Sequence, residues 1–344
     1  MSRRSLTLLI ASVGTVAAIA VGVFVPVPYV ILGPGPTLNT LGKDSSGQPL
    51  ITISGHQTYP TSGHLNMVTV SYEGGPGENL NVFTALAAWL NSDEAVVPSS
   101  ELFPPGQTAQ QSQQQDTEEM TGSQQTATAA ALNELGIPFQ TLVTVAQTQQ
   151  GYGAYNVLQP GDIITAVNGR PVTSDGVLQN LIRSHPAGTT LRITVDRNGK
   201  TRQFAITTKT YQGSPIVGVG VQDQYKFPFT VKISVGDIGG PSAGMMFALG
   251  IIDKLTTLNL TGGAFIAGTG EIMANGQVEP IGGIQQKMVG ARDAGATIFL
   301  TPASNCSDTT GAVPAGLRLV KVSTLAQAVS YLEDIKAGKP VPSC

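Results

Sequence analysis

The chain is poor in charge, in cysteine and in histidine, and each shortage removes a class of function. Charged residues make up 12% of 344 positions and the formal net charge is −3. No basic face is available for a phosphate backbone, so nucleic acid is not expected as a partner. Cys306 and Cys344 are the only cysteines. With no histidine near either, they cannot complete a structural zinc site. In an exported protein they would form one disulfide tying back the C-terminus; otherwise they are two unpaired thiols. The histidines are His56, His64 and His185 alone. No H-E-x-x-H is present, and a Ser-His-Asp triad has little to draw on. Gly199-Lys200-Thr201 imitates the end of a phosphate-binding loop, but the glycine required five residues earlier is Thr194, and the setting is a hairpin. ATP binding is rejected, and neither a cofactor nor a metal is expected.

What the chain does have begins at its N-terminus. Arg3 and Arg4 are followed by no charge until Lys43. The run Ser5 to Val25, as a helix rising about 1.5 Å per residue, spans roughly 31 Å, close to a bilayer core. Positive charge before the run and none just after it predicts a cytoplasmic N-terminus with the remainder outside. A cleaved signal peptide is the alternative, because Ala18-Ile19-Ala20 has the small-x-small form of a cleavage site, and Ser2-Arg3-Arg4 faintly resembles a twin-arginine signal. The apolar run continues through Val23, Phe24 and Val25, which favours a retained anchor. Either way the body is exported.

At ~100–200 residues per domain the length accommodates two or three. Pro26-Val27-Pro28 and Gly33-Pro34-Gly35-Pro36 predict a rigid, extended exit from the membrane. Leu50 to Ser71 reads as strands joined by a Gly/Pro turn, and Leu80 to Leu90 as helix. Gly106 to about Gln125 has the composition of a solvated linker. Met120 and the run Ala127 to Leu135 instead predict a helix ending near Gly136-Ile137-Pro138.

Residues Leu158 to Val172 read LQPGDIITAVNGRPV. Gly161 permits a turn, Ile163 to Val167 make a buried strand, and Asn168-Gly169 is a favoured two-residue hairpin turn. Val177 to Ser184 is a short helix, and a second hairpin turns at Asn198-Gly199. This pattern resembles bacterial PDZ domains, which bind an extended peptide along a sheet edge beside such a helix. The resemblance implies a peptide ligand, with a carboxylate-binding loop around Gln150 to Tyr155.

The stretch that carries chemistry is Gly236-Asp237-Ile238-Gly239-Gly240-Pro241-Ser242-Ala243-Gly244. It superficially resembles the Gly-Asp-Ser-Gly-Gly-Pro of trypsin-like proteases, but Ile238 stands at that serine. Ser242 to Leu255 predicts an almost wholly apolar, buried helix entered at Pro241. By position alone, Ser242 would most often be a helix cap. The alternative, beside Gly239 and Gly240, which let a substrate approach the backbone, is a nucleophile with amide groups ready for an oxyanion. Two further segments, Gly268-Thr269-Gly270-Glu271 and Pro280-Ile281-Gly282-Gly283-Ile284-Gln285-Gln286-Lys287, bear on the choice between these readings. Gly282-Gly283 opens a helix running to about Ala294. On it Lys287 shares a face with Gly283, Ile284, Gly290, Ala291 and Ala294, while Gln285, Gln286, Arg292 and Asp293 lie elsewhere. A lysine on a packing face is desolvated, which favours the neutral amine.

In order, Pro-Ser-Ala-Gly, Thr-Gly-Glu and Gly-Gly-x-x-x-Lys resemble the proteolytic domain of Lon-type proteases over about Val217 to Leu332. Where Lon enzymes usually carry an acidic residue three before the serine, this chain has Gly239. The resemblance implies Ser242 as nucleophile, Lys287 as general base, Thr269 as the hydroxyl that positions the lysine, and Gly240 in a supporting place. The implied fold is α+β, with a Lon-type domain of mixed sheets and buried helices, a small β-rich PDZ domain and one transmembrane helix. The segments are an anchor at 1–28, strands and helices of the Lon-like domain at 29–137, PDZ at 138–211, the proteolytic domain at 212–337 and a tail at 338–344. The implied activity is that of an ATP-independent serine endopeptidase of the cell membrane with its catalytic domain outside. It would act on flexible, unfolded or membrane-tethered polypeptides recruited through PDZ, with a homo-oligomeric ring compatible with the resemblance. The alternative is a silent peptide-binding scaffold.

Overall fold

The computed structural model describes residues 3–44 and 46–344. Its α-helices, among the described residues, are α1 (Arg3–Phe24), α2 (Val82–Trp89), α3 (Ser99–Leu102), α4 (Ala109–Glu134), α5 (Asp175–Arg183), α6 (Gly244–Leu255), α7 (Ile284–Asp293) and α8 (Leu325–Lys336). The chain divides into two units. The first joins the residues up to Ile137 with Phe229–Cys344, and the second, Pro138–Pro228, interrupts it in sequence.

The first unit is built on a mixed six-stranded sheet in the order Arg318–Val322, Ile298–Pro302, Phe265–Gly268, His64–Glu73, Tyr29–Asn39 and Ala95–Pro98. The first four strands are parallel and the last two pair antiparallel. Successive strand residues face opposite sides, and helices use both. Ala267 and Phe299 pack in one apolar cluster with Ile284, Met288 and Ala291 of α7. On the other side Gly268 meets the sulfur of Met246 on α6. Every residue of α6 but Lys254 is buried, as a helix apolar all round must be. The strand Ile51–Ser54 pairs with Thr230–Ile233 rather than with its expected neighbour at 64–73.

Helix α4 begins well before the expected helix, at Ala109, where Thr108 and Gln111 form a reciprocal capping box. Its Gln- and Ser-rich first half is therefore helix and not linker. Its buried residues are mostly small or polar, Ser112, Ser123, Ala127, Ala130 and Ala131 among them. Small residues allow close approach, and the Ser123 hydroxyl donates to the carbonyl of Pro241 at 2.9 Å. Cys306 and Cys344 are joined in a disulfide, which settles the open alternative of two free thiols.

The second unit is a small sheet in the order Lys200–Thr207, Thr190–Arg197, Ile163–Val167, Gln140–Thr148 and Val219–Lys226, closed over by α5. Asn168 and Asn198 adopt positive φ ahead of Gly169 and Gly199, the geometry that makes Asn-Gly hairpin turns favourable. Asp162 is buried. Burial would raise its carboxyl, but the Arg197 fork, at 2.6 and 2.7 Å, and the Gln159 amide outweigh it and hold the group below the usual carboxylate range. The unit ends at Pro228 rather than at Tyr211, because Val219–Lys226 completes its edge by pairing with Gln140–Thr148.

Candidate active site

Ser242, Thr269 and Lys287 come from three separate elements and meet at one point. Ser242 lies in the turn before α6, two residues ahead of the helix and not in its first turn. The N-cap of α6 is Ala243, which makes no side-chain capping bond. The Ser242 hydroxyl is thus not spent on a cap. Its carbonyl accepts the Gly270 amide at 2.8 Å and the Thr269 hydroxyl at 2.9 Å, which fixes the turn against the strand end. Thr269 directly follows the strand Phe265–Gly268, at the carboxyl ends of the parallel strands, where open α/β sheets characteristically form crevices.

Lys287 reaches this point from α7, whose entry is set by Gly283 in the left-handed region at φ 65°. Its Nζ lies 2.8 Å from Oγ of Ser242 and 3.3 Å from Oγ1 of Thr269. Lys287 is only 2% exposed and Thr269 fully buried. Burial pushes the ammonium from the usual 10.5 down to about 7, since an uncompensated charge is disfavoured away from water. Because the Thr269 hydroxyl donates to Ser242, its own oxygen accepts from Nζ, which leaves the amine's lone pair for the Ser242 hydroxyl. The arrangement can move a proton from serine to lysine. Two details of the expected α7 face differ: Gln286 is buried and Ala294 is exposed.

Gly240 sits beside the serine at φ 82°, a conformation that suits glycine. Its amide donates to the carbonyl of Asp116 at 3.0 Å. Asp116 was not visible as a site residue in the sequence. A Cβ placed on Gly239 would fall 2.5 Å from Cβ of Asp116, so α4 occupies the space that a side chain at 239 would need. The departure at Gly239 was the available signal. Burial, with a smaller push from Glu119, raises the Asp116 carboxyl, and Tyr72 offsets part of this.

Ser242, Lys287, Gly239, Gly240 and Asp116 line a cavity of about 500 Å³ walled by Met67, Val70, Leu102, Phe103 and Met120. An adjoining cavity shares Tyr72, Phe103, Asp116 and Asp237 with it and adds Glu78. Among the described residues Lys287 is the only basic one lining either.

Residues 223–334 match the model of the Lon protease (S16) C-terminal proteolytic domain. The chain carries a Lon-type proteolytic domain. Residues 124–208 match a PDZ domain model. Among curated relatives, a Lon protease of Heliobacterium modesticaldum is 30% identical over 190 residues, covering 48% of this chain and 23% of the relative. Lon protease 1 of Bacillus subtilis is 26% identical over 186 residues, covering 52% and 24%. The chain thus spans about a quarter of the length of these relatives. The solved PDZ domain of an SdrC-like protein from Listeria monocytogenes is 27% identical, covering 23% of this chain and 85% of that one, with a TM-score of 0.22.

In the PDZ unit a cavity of about 690 Å³ lies between α5 and the edge strand Val219–Lys226. Leu178 and Ile182 line it from the helix, and Pro215 to Gly218 close it where the edge strand begins. Gln149 and Gln150, the latter at the start of the expected loop 150–155, line it as well.

The buried lysine should cost the Lon-type domain stability. Lys287→Met, which keeps the length of the stem and removes the amine, is expected to stabilise the protein by roughly 2–4 kcal/mol at pH 7. The unfolded chain binds the extra proton between about 7 and 10.5, so the wild type gains stability as pH rises through that window. Denaturant titrations should show the advantage of the variant shrinking from pH 7 to pH 10.

Proposed function

We propose that this protein is a membrane-anchored, extracytoplasmic serine endopeptidase that cuts by a Ser242–Lys287 dyad and needs no nucleotide or metal. The observation that carries the reading is the 2.8 Å separation of Nζ and Oγ around a desolvated amine. In the first half-reaction Oγ of Ser242 attacks the peptide carbonyl while Lys287 takes its proton, then returns it to the leaving amine. In the second, Lys287 deprotonates a water that attacks the acyl ester and passes that proton to Oγ of Ser242 as the C–Oγ bond breaks, releasing the carboxylate product. Thr269 holds the amine in line. The Gly240, Gly244 and Met245 amides are engaged with the carbonyls of Asp116, Pro241 and Gly270, which leaves those of Ser242 and Ala243 as the oxyanion donors of this scheme.

Helix α1 is long and apolar enough to cross a membrane, and the arginines before it favour the orientation that exports the body. The Cys306–Cys344 disulfide suits an oxidising compartment. The groove beside α5 suits an extended peptide added to the sheet edge, so the PDZ unit would recruit substrate. The carboxylates of Asp116, Asp237 and Glu78 in a cleft free of other basic groups favour a basic side chain near the scissile bond. The silent-scaffold alternative has no observation in its favour at the dyad.

Three outcomes follow. Labelling of Ser242 by a serine-reactive phosphonate should speed up as pH rises through about 7 and then level off, because the neutral amine is the base; a flat profile removes Lys287 from that role. Mapping of new N-termini among exported proteins should reveal cleavages in cells with the wild type that vanish with Ser242→Ala; identical maps would support the scaffold. Across fluorogenic peptides differing in one residue flanking the cut, lysine or arginine should be preferred severalfold over glutamate, and Asp116→Asn should flatten that preference. An unchanged ranking would exclude Asp116 from specificity.

A further inference from the structure

Helix α2 is built inside out. The segment Leu80 to Asn91 contains no charge. A water-soluble helix would turn its large apolar residues to the core and its small ones outward. Here Ala85 and Ala88 pack with Ile31, Leu80 and Val96, while Phe83, Leu86, Trp89 and Leu90 are exposed, Trp89 by 72% and Leu90 by 78%. Scattered apolar residues on a surface need no explanation, but four large ones on one uncharged helix do.

Its position says what covers it. The strand leaving α1 pairs with the strand entering α2, Pro26 opposite Asn81 and Val27 opposite Leu80. A Cβ placed on Gly22, in the last turn of α1, would fall 2.7 Å from the ring of Phe83. Phe83 thus lies within one helical turn, about 5.4 Å, of the end of the apolar span. Phe24 and Val25, at that end, are exposed too. If α1 crosses the bilayer, the outer face of α2 is held at the level where hydrocarbon gives way to headgroups, the depth that tryptophan favours.

We infer that α2 is an interfacial membrane-binding helix, its Phe83, Leu86, Trp89 and Leu90 face seated in the outer boundary of the same bilayer that α1 spans. This rests on the reading of α1 as a membrane span. The ligand is lipid, and the effect is a second attachment. Because α2 packs on the strands Tyr29–Asn39 and Ala95–Pro98, it would couple the sheet of the Lon-type domain to the membrane surface, where tethered or emerging polypeptides are met.

The protein supplies its own probe, for Trp89 is its only tryptophan. The full chain would be reconstituted in phosphatidylcholine–phosphatidylglycerol vesicles with or without bromine on the acyl chains. Trp89 emission should be blue-shifted, and the brominated lipid should quench it. Leu86→Asp with Leu90→Asp should restore much of that emission. A Trp89→Phe, Phe24→Trp protein reports on α1 separately. Quenching there without quenching of Trp89 overturns the α2 proposal and leaves the anchor standing. No quenching at either position removes the anchor and α2 with it. Trp89 shielded from acrylamide yet untouched by bromolipid would place a second copy of the chain on this face and overturn the lipid assignment.

Discussion

Burial disfavours the charged ammonium at Lys287 and draws it from 10.5 down to about 7, and the proposed chemistry depends on that constraint. The amine is enclosed by α7, the turn at Ser242 and Thr269, and its hydrogen-bond partners among the described residues are two hydroxyls. Burial without a counter-ion is costly, and the ordinary remedy is loss of the proton. Neutrality converts a strongly hydrated cation into a base whose strength lies near physiological pH, the range in which proton transfer is most useful. In the proposed dyad a lysine would take the place of histidine through a change of its solvent rather than of its chemistry.

The remaining features of the site follow from placing a backbone turn and a long side chain in contact. Gly283 lets α7 start where its first turn presses on Val70. Gly244 lets α6 meet Ser123 and Ile272 closely. Close packing on both sides of the sheet leaves the Ser242 turn little freedom, and catalytic geometry held by rigid elements is more exact than geometry held by loops. Helix α4 contributes through small contacts: the Ser123 hydroxyl on Pro241, and the Asp116 carbonyl on Gly240.

What could be read from the sequence was what local chemistry dictates. The Asn-Gly turns, the apolar α6 and the small-residue face of Lys287 all leave a pattern within a few residues of one another, and the structure brings Ser242, Thr269 and Lys287 to one point. What could not be read depends on partners distant in sequence. The strand Val219–Lys226 is too ordinary to announce that it pairs with Gln140–Thr148, so the second unit extends past the boundary that its sequence pattern suggests. The buried residues of α4 are mostly serine, threonine and alanine, with Met120 and Leu132 the large apolar ones, so its first half carries little hydrophobic stripe, and Asp116 gave no signal beyond the missing acid at Gly239. Helix α2 was legible as a helix, but which of its faces is covered was not.

The central claim is the state of one amine, and it can be measured without any substrate. Lysine labelled with carbon-13 at Cε gives one resonance per side chain whose shift follows protonation. The resonance absent from the Lys287→Met protein should titrate in the folded wild type with a midpoint near 7, as burial requires. A midpoint near the ordinary 10.5 would mean that the amine stays charged beside Ser242, and would contradict the account.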